Sequence, residues 1–160
     1  MPYHMRRSDR EINDWETIED VIRKGKFLTL SLARNNEAYG VTLNYGYEQK
    51  TRSLYFHCAP DGLKTEFIRY NAYVCASIIE DNGYQLGLCE HKFRSVVIRG
   101  KVEIVPTDAA KIHGLEVMLD HLEENATVKK EKMPNEADLE KVAIWKLSID
   151  EYSGKQMYGG

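Results

Sequence analysis

Residues 54–65, LYFHCAPDGLKT, decide the fold because their pattern changes from that of a strand to that of a helix. Residues 54–58 are rich in aromatic and strand-favouring side chains, and Pro60-Asp61-Gly62 then breaks the strand pattern. Beyond the break, Leu63, Phe67 and Tyr70 recur at helical spacing. The stretch therefore predicts a strand, a tight loop and a short helix.

Lys64 lies in the first turn of this predicted helix, where a positive charge opposes the helix dipole by about 0.3–1 kcal/mol. Backbone amides at the same end attract anions, so the placement favours a phosphate bound at Lys64. The alternative is a solvated surface lysine. Arg94 and Ser95 open a later strand, and if they lie near Lys64 they would hold the same phosphate by charge-assisted hydrogen bonds. Otherwise they are surface residues of an edge strand.

His57 alternates with the apolar residues of its strand and so points away from them. This position indicates a side chain that lines a cleft. The alternative is a hydrogen-bonded structural histidine, since no serine or acid beside it forms a recognisable triad. Cys89, Glu90 and His91 could be imagined as metal ligands together with His57 and Cys58, but their spacing matches no zinc motif. We expect no metal site.

The rest of the chain predicts mostly strands joined as hairpins. About six strands and three helices indicate a mainly β protein with helices, of the α+β class, built as a closed or half-closed antiparallel barrel with helices at its ends. The first predicted strand begins at Phe27, and the others cover Tyr39–Tyr47, Leu54–Cys58, Tyr73–Glu80, Arg94–Val105 and Val142–Tyr152. The predicted helices cover Glu11–Lys24, with Asp9 as N-cap, and Leu63–Tyr70, and a third helix begins at Pro106. A charged loop with some helix follows over Glu123–Glu140.

Size and composition limit the classes of protein to consider. The 160 residues suit a single domain over 1–160, with 42% hydrophobic and 29% charged residues. A net charge of -3 disfavours nucleic acid as a partner. The apolar runs are too short to span a membrane, and residues 1–20 are charged throughout, so we expect a cytoplasmic protein. Three cysteines without CxxC spacing fit reduced thiols.

The ordered set of motifs resembles one family. The run 39–47, YGVTLNYGY, and then residues 54–59 with Gly62 and Lys64, are similar to the nitroimidazole-resistance branch of the pyridoxamine-phosphate oxidase-like flavoproteins. Residues 93–100, FRSVVIRG, and the segments 5–12 and 149–155 are similar as well, so the resemblance covers nearly the whole chain. Thr42 departs from the family pattern, which favours proline there.

The resemblance implies a split-barrel homodimer that holds FMN at the subunit interface. It places His57 near the flavin and the substrate, as a proton donor or substrate contact. It places Trp145, or a C-terminal aromatic residue of the partner, over the flavin ring. The other implied cofactor contacts are Val41, Thr42, Leu43 and Asn44 beside the ring, and Lys64, Arg94 and Ser95 at the phosphate.

The function implied by the resemblance is an FMN-dependent oxidoreductase that reduces a small aromatic or nitro-containing substrate. NADH or NADPH would bind transiently, because the sequence has no Rossmann fingerprint. Two alternatives stay open: a flavin- or haem-binding module without turnover, and an oxidase of pyridoxamine phosphate itself. The second is disfavoured by the short chain and by the lack of a second phosphate-binding cluster. The expected partners are a second copy and a small-molecule substrate.

Overall fold

Alternating apolar and polar side chains produce the antiparallel strands of the fold. The pattern is clearest in β2, where Leu28, Leu30 and Leu32 are buried between exposed neighbours. A computed structural model describes residues 5–158. Its strands are β1 (Glu11–Ile12), β2 (Phe27–Arg34), β3 (Glu37–Asn44), β4 (Gly46–Glu48), β5 (Ser53–Cys58), β6 (Tyr73–Gln85), β7 (Glu90–Ile104), β8 (Ala143–Ser148) and β9 (Glu151–Met157).

Capping side chains set where the helices begin. Asp14 accepts a hydrogen bond from the Thr17 backbone amide at 2.7 Å and caps the first helix, so the predicted start at Glu11 and the cap at Asp9 are wrong. Residues 11–12 pair with β9 instead, which holds them extended. The helices are α1 (Trp15–Lys24), α2 (Leu63–Tyr70), α3 (Asp108–Leu122), α4 (Ala126–Lys132) and α5 (Glu136–Leu139).

A change of partner along β7 curls the sheet into a barrel. On one flank β7 pairs with β6 throughout, whereas on the other flank it pairs first with β9 and then with β8. Gly100 lies between the two partners, where a Cβ would overlap the carbonyl oxygen of Ser148. Only glycine allows the backbones to come so close, as is common at barrel corners.

The barrel is split between β3 and β5. The strand order is β3-β2-β6-β7-β8-β5-β4, so β3 is a free edge of the sheet. β4 pairs only with Ser53–Tyr55, and the rest of β5 lies beside β3 without a hydrogen-bonded ladder. The predicted half-closed antiparallel barrel with flanking helices is therefore confirmed, as a split barrel.

The helices occupy the two ends of the barrel and part of its outside. Asp20 of α1 contacts Arg94 near the start of β7, whereas Asn71, just after α2, donates a hydrogen bond to the Ala33 carbonyl at the end of β2. These two positions lie at opposite ends of the barrel, because neighbouring strands run antiparallel. α3 packs outside β4, β5 and β8, where Met118 and Ile144 belong to a second buried cluster.

One side of the sheet faces away from the barrel core and is largely uncharged. On β7, Arg99 and Lys101 face outward opposite Cys75 and Tyr73 and carry positive charge. The other outward residues of β2, β3, β6 and β7, as far as Ile79 and Ser95, are exposed or half-buried and uncharged. We call this set the outer sheet face: Phe27, Thr29, Ser31, Ala33, Ala38, Gly40, Thr42, Asn44, Tyr73, Cys75, Ser77, Ile79, Ser95 and Val97.

Residues 5–158 form nine strands where about six were expected, because two predicted strands break in the middle and residues 11–12 add the short β1. The predicted strand 39–47 ends at Asn44, since the buried Tyr45 turns inward and donates a hydrogen bond to the Ile22 carbonyl at 2.5 Å. The predicted strand 142–152 breaks at residues 149–150, whose amides bond to Arg52 and Arg99 carbonyls while the chain changes partners. The charged stretch 123–140 contains α4 and α5.

The close approach at Gly100 gives a stability test. We expect Gly100→Ala to lower the free energy of unfolding by about 3 kcal/mol, because the methyl group must push two backbones apart. Gly40→Ala is the matched control, since its Cβ would meet only the Thr29 methyl group at 4.0 Å. Urea unfolding measures both. Equal stabilities of the two variants would contradict this account of the barrel corner.

Candidate functional site

The N-terminus of α2 is open and uncapped. Gly62 stands at the N-cap with φ of 133°, which favours glycine, and it supplies no side-chain acceptor. The first backbone amides of a helix have no acceptor within the helix, so they are available to a ligand. A Cβ added at Gly62 would meet nothing within 4 Å, so the space beside this N-cap residue is open. Lys64 adds a positive charge in the first turn.

This junction suits an anion better than a metal. Amide donors at a helix N-terminus together with one lysine fit the oxygens of a phosphate group. Burial raises the pKa of the neighbouring Cys58 thiol to about 11, with Lys64 opposing the rise, so the thiol remains protonated. Among residues 5–158, no group of three or more His, Cys, Asp or Glu side chains is placed to hold a metal ion.

The four residues expected beside a flavin ring lie on the free edge strand. Val41 and Leu43 turn toward the barrel core, whereas Thr42 and Asn44 lie on the outer sheet face. The Asn44 amide group donates a hydrogen bond to the Lys26 carbonyl at 3.0 Å. Because β3 pairs only with β2, its other flank presents backbone donors and acceptors to a ligand.

Arg94 is committed to two carboxylates. Its guanidinium donates to Glu80 at 2.9 and 2.5 Å and to Asp20 at 2.7 Å, and the residue is 8% exposed. Hydrogen bonding to Arg94 lowers the pKa of Glu80, and hydrogen bonds from Lys24 and then Arg94 lower that of Asp20. The expectation that Arg94 faces a phosphate is wrong for the isolated chain, because both acids already neutralise it.

Lys64 and Ser95 do not meet within one chain. Lys64 lies at the end of the barrel where β6 begins, whereas Ser95 pairs with Ile79 near the other end of the sheet. The six residues from Tyr73 to Ile79 span roughly 20 Å of extended strand. One chain therefore places Lys64 and His57 at the same end of the barrel and leaves Arg94 and Ser95 at the other end. The strand register puts Asn44 of the β3 edge level with Ile79, toward the Ser95 end.

His57 and Trp145 differ in their access to a ligand. His57 is exposed near the end of β5 and forms no side-chain hydrogen bond within residues 5–158. It therefore stays a candidate contact. Trp145 is 0% exposed and its indole nitrogen is buried. The prediction that Trp145 covers a flavin ring is wrong, because its side chain fills the interior of its own barrel.

A groove on the outer sheet face escaped the sequence analysis. It is lined by small residues such as Ser31, Ala33 and Ala38, by Tyr73 and Cys75, and by the charged residues Arg99, Asp150 and Glu151, and its volume is about 620 Å³. The sequence carries a signal for it, since Ser31 and Ala33 alternate with the buried leucines of β2. That alternation shows which side chains face outward but does not show what covers them.

The ion pairs of Arg94 generate a pH-dependent prediction. Arg94→Met should lower the free energy of unfolding by about 1–3 kcal/mol at neutral pH, because two carboxylates lose their partner. Since Arg94 lowers the pKa of Glu80, its stabilisation is present above pH 4.5 and fades as the pH falls through the lowered value.

Acid titration of stability measures this effect. The variant should lose less stability than the parent between neutral and strongly acidic pH. Arg69→Met is the control, because its ion pair with Asp61 is long, at 3.6 Å, and exposed. Parallel pH profiles for the parent and Arg94→Met would show that the pairs contribute nothing.

No helix in the described part of the chain is long and apolar enough to cross a membrane. No protein of curated function matches the sequence. Among solved structures, a candidate 5-nitroimidazole antibiotic resistance protein from Bacteroides thetaiotaomicron is 26% identical, with a TM-score of 0.78 over 91% of this chain and 85% of that one.

Two further solved structures share the fold at lower identity. A FAD and heme binding protein from Mycobacterium smegmatis is 17% identical, with a TM-score of 0.79 over 94% of this chain and 74% of that one. A flavocytochrome from Azotobacter vinelandii is 19% identical, with a TM-score of 0.82 over 98% of this chain and 73% of that one. The model of the pyridoxamine 5'-phosphate oxidase family matches residues 14–156, and the chain therefore belongs to that family.

Proposed function

We propose that the chain is an FMN-dependent oxidoreductase that works as a homodimer and reduces a small aromatic or nitro-containing substrate with electrons from NADH or NADPH. One observation carries the proposal: the uncapped N-terminus of α2, with Lys64, adjoins β5 and the split whose other border is the free edge of β3. This arrangement offers one site for a phosphate and another for a flat polar ring.

The chain's own residues would bind and orient the cofactor. The α2 amides and Lys64 fit the phosphate, and the unpaired flank of Val41–Asn44 fits the polar edge of the ring. FMN, when bound, supplies hydride and electron transfer, which the side chains here do not provide. His57, exposed and without an intramolecular partner among the described residues, would hold a proton or contact the substrate.

The relatives support a flavin more strongly than a particular reaction. The B. thetaiotaomicron protein points to nitro compounds by its name, and the M. smegmatis and A. vinelandii proteins are named for flavin and haem. The haem-containing names keep one second candidate: a flavin- or haem-binding module without turnover. A visible spectrum of the purified protein separates these cofactors, since haem gives a Soret band and flavin does not.

A second copy would complete the site. Ser95 lies on the outer sheet face with Thr42 and Asn44, yet near the end of the barrel remote from Lys64. A two-fold axis that lies in the plane of the contact, perpendicular to the strands, would bring the partner's Ser95 end over the Lys64 end of the first subunit. The outer sheet face, largely uncharged apart from Arg99 and Lys101 at one end, suits such a contact. We place the protein in the cytoplasm, which agrees with its three free cysteines.

The phosphate site predicts a selective loss of affinity. Lys64→Ala should weaken FMN binding by roughly 1–3 kcal/mol, because one charge-assisted hydrogen bond is lost. Riboflavin, which lacks the phosphate, should bind the variant and the parent equally. Fluorescence titration measures both ligands, and Lys130→Ala, an exposed lysine of α4, serves as control. Unchanged FMN affinity, or an equal loss for riboflavin, would remove Lys64 from the phosphate site.

Turnover is tested by anaerobic stopped-flow mixing. NADH or NADPH should bleach the bound flavin, and a nitroaromatic compound should restore its colour. His57→Gln should slow this second step by about 100-fold, as is typical when a general acid is lost, while FMN affinity stays unchanged. His113→Gln is the control, because His113 bonds to Glu48 on the α3 side. Flavin that no nicotinamide reduces would favour the binding module over the enzyme.

A further inference from the structure

The hairpin of β6 and β7 extends beyond the rest of the sheet. β9 pairs with β7 only from Phe93 onward, and β2 pairs with β6 only as far as Ser77. Residues 81–91, which we call the arm, therefore pair only within the hairpin of β6 and β7, with an irregular register between Asp81 and Tyr84. A two-stranded ribbon alone is marginally stable in water, so the arm needs a surface to pack against.

The tip of the arm is apolar. Tyr84, Leu86 and Leu88 are 53%, 89% and 66% exposed. Three large apolar side chains clustered at one loop are a feature of contact sites and are uncommon on free surfaces.

A receptor of matching chemistry lies at the other end of the outer sheet face. The 620 Å³ groove is walled mainly by small and apolar side chains, such as Ala33, Ala38 and Tyr73, and the charged residues Arg99, Asp150 and Glu151 line the rest of it. It surrounds the start of β6, whereas the arm begins where β6 leaves the sheet. The ten residues from Cys75 to Gln85 separate groove and tip by roughly 33 Å along one strand, so a chain cannot fill its own groove.

A two-fold axis that lies in the plane of the contact, perpendicular to the strands, would bring the two features together. Such an axis lays the arm end of each subunit over the groove end of the other, and it makes both contacts at once. The four strands of the outer sheet face, about 4.8 Å apart and roughly 23 Å long, give only about 440 Å² of flat contact. A stable interface needs about 800 Å² per partner, and two docked arms would supply the difference.

We propose that the tip of the arm, Leu86 and Leu88, docks in the groove of a second copy of this chain. The proposal rests on the homodimer of the proposed function and adds its locking contact. The arm of each subunit would then pack against the partner across the outer sheet face. It leaves the sheet at the end where β3 and Ser95 would border the flavin site.

Two native cysteines allow a direct test in the full chain. Cys89 is exposed at the tip, Cys75 lines the groove, and Cys58 is buried. A short bismaleimide should join Cys89 of one chain to Cys75 of another and give a covalent dimer on a denaturing gel. Cys75→Ser and Cys89→Ser should each abolish the product. Mixing the two variants should restore it, because each mixed dimer holds one complete pair.

The opposite results overturn the proposal. Cross-linking that survives Cys75→Ser would mean that the tips meet each other, and mixed variants that give no product would mean that tip and groove do not meet. Sedimentation equilibrium supplies an independent measurement. Leu86→Glu with Leu88→Glu should raise the dimer dissociation constant at least tenfold, whereas Gln85→Glu, which adds charge to the arm without removing apolar surface, should leave it unchanged.

The outcomes also separate this proposal from the function. A parent chain that is monomeric at all concentrations contradicts the dimer itself. A dimer that the Leu86 and Leu88 substitutions leave intact contradicts only the docking of the arm. A dimer that cross-links as expected but binds no FMN contradicts the flavin function and leaves the arm in place.

Discussion

The close contact between β7 and the Ser148 carbonyl at Gly100 is the constraint on which the rest of the structure depends. It lets β7 leave β9 and take up β8, so one sheet both curls into a barrel and keeps a flat outer portion. The curl buries Trp145 and the leucines of β2 inside. It also leaves β3 as a free edge beside the split. Core, edge and outer sheet face thus share one cause.

The site follows from how this barrel distributes charge and free backbone groups. Lys64 and the α2 amides lie at one end, and Ser95 lies near the other. Arg94 at that end is neutralised by Asp20 and Glu80 and therefore stabilises the fold. In the function proposed above, a single chain would hold only part of a phosphate and ring site, and a largely uncharged face would be left for a partner to cover. A second copy of the chain would both complete this site and cover this face.

Local patterns predicted most of the fold. The alternation in β2 predicted a strand, and the break at Pro60-Asp61-Gly62 predicted the start of α2. Both elements depend on residues that are close together in the sequence. Alternation along β7 and β8 likewise places Arg94 and Trp145 on the inward side of their strands, with Val96 and Leu147. The resemblance instead implied that both side chains contact a ligand. The partners of Arg94 lie up to 74 residues away in sequence, and no local pattern reveals such pairs. Nor does the local sequence predict what packs on an exposed face of the sheet.

The central claim is that flavin binding and association of two chains are one event. Sedimentation velocity of the FMN-reconstituted protein, followed by the visible absorption of the flavin, measures both together. The account predicts that all protein-bound colour sediments at the mass of two chains, with one flavin for each chain. Colour that sediments stoichiometrically at the mass of one chain would contradict it.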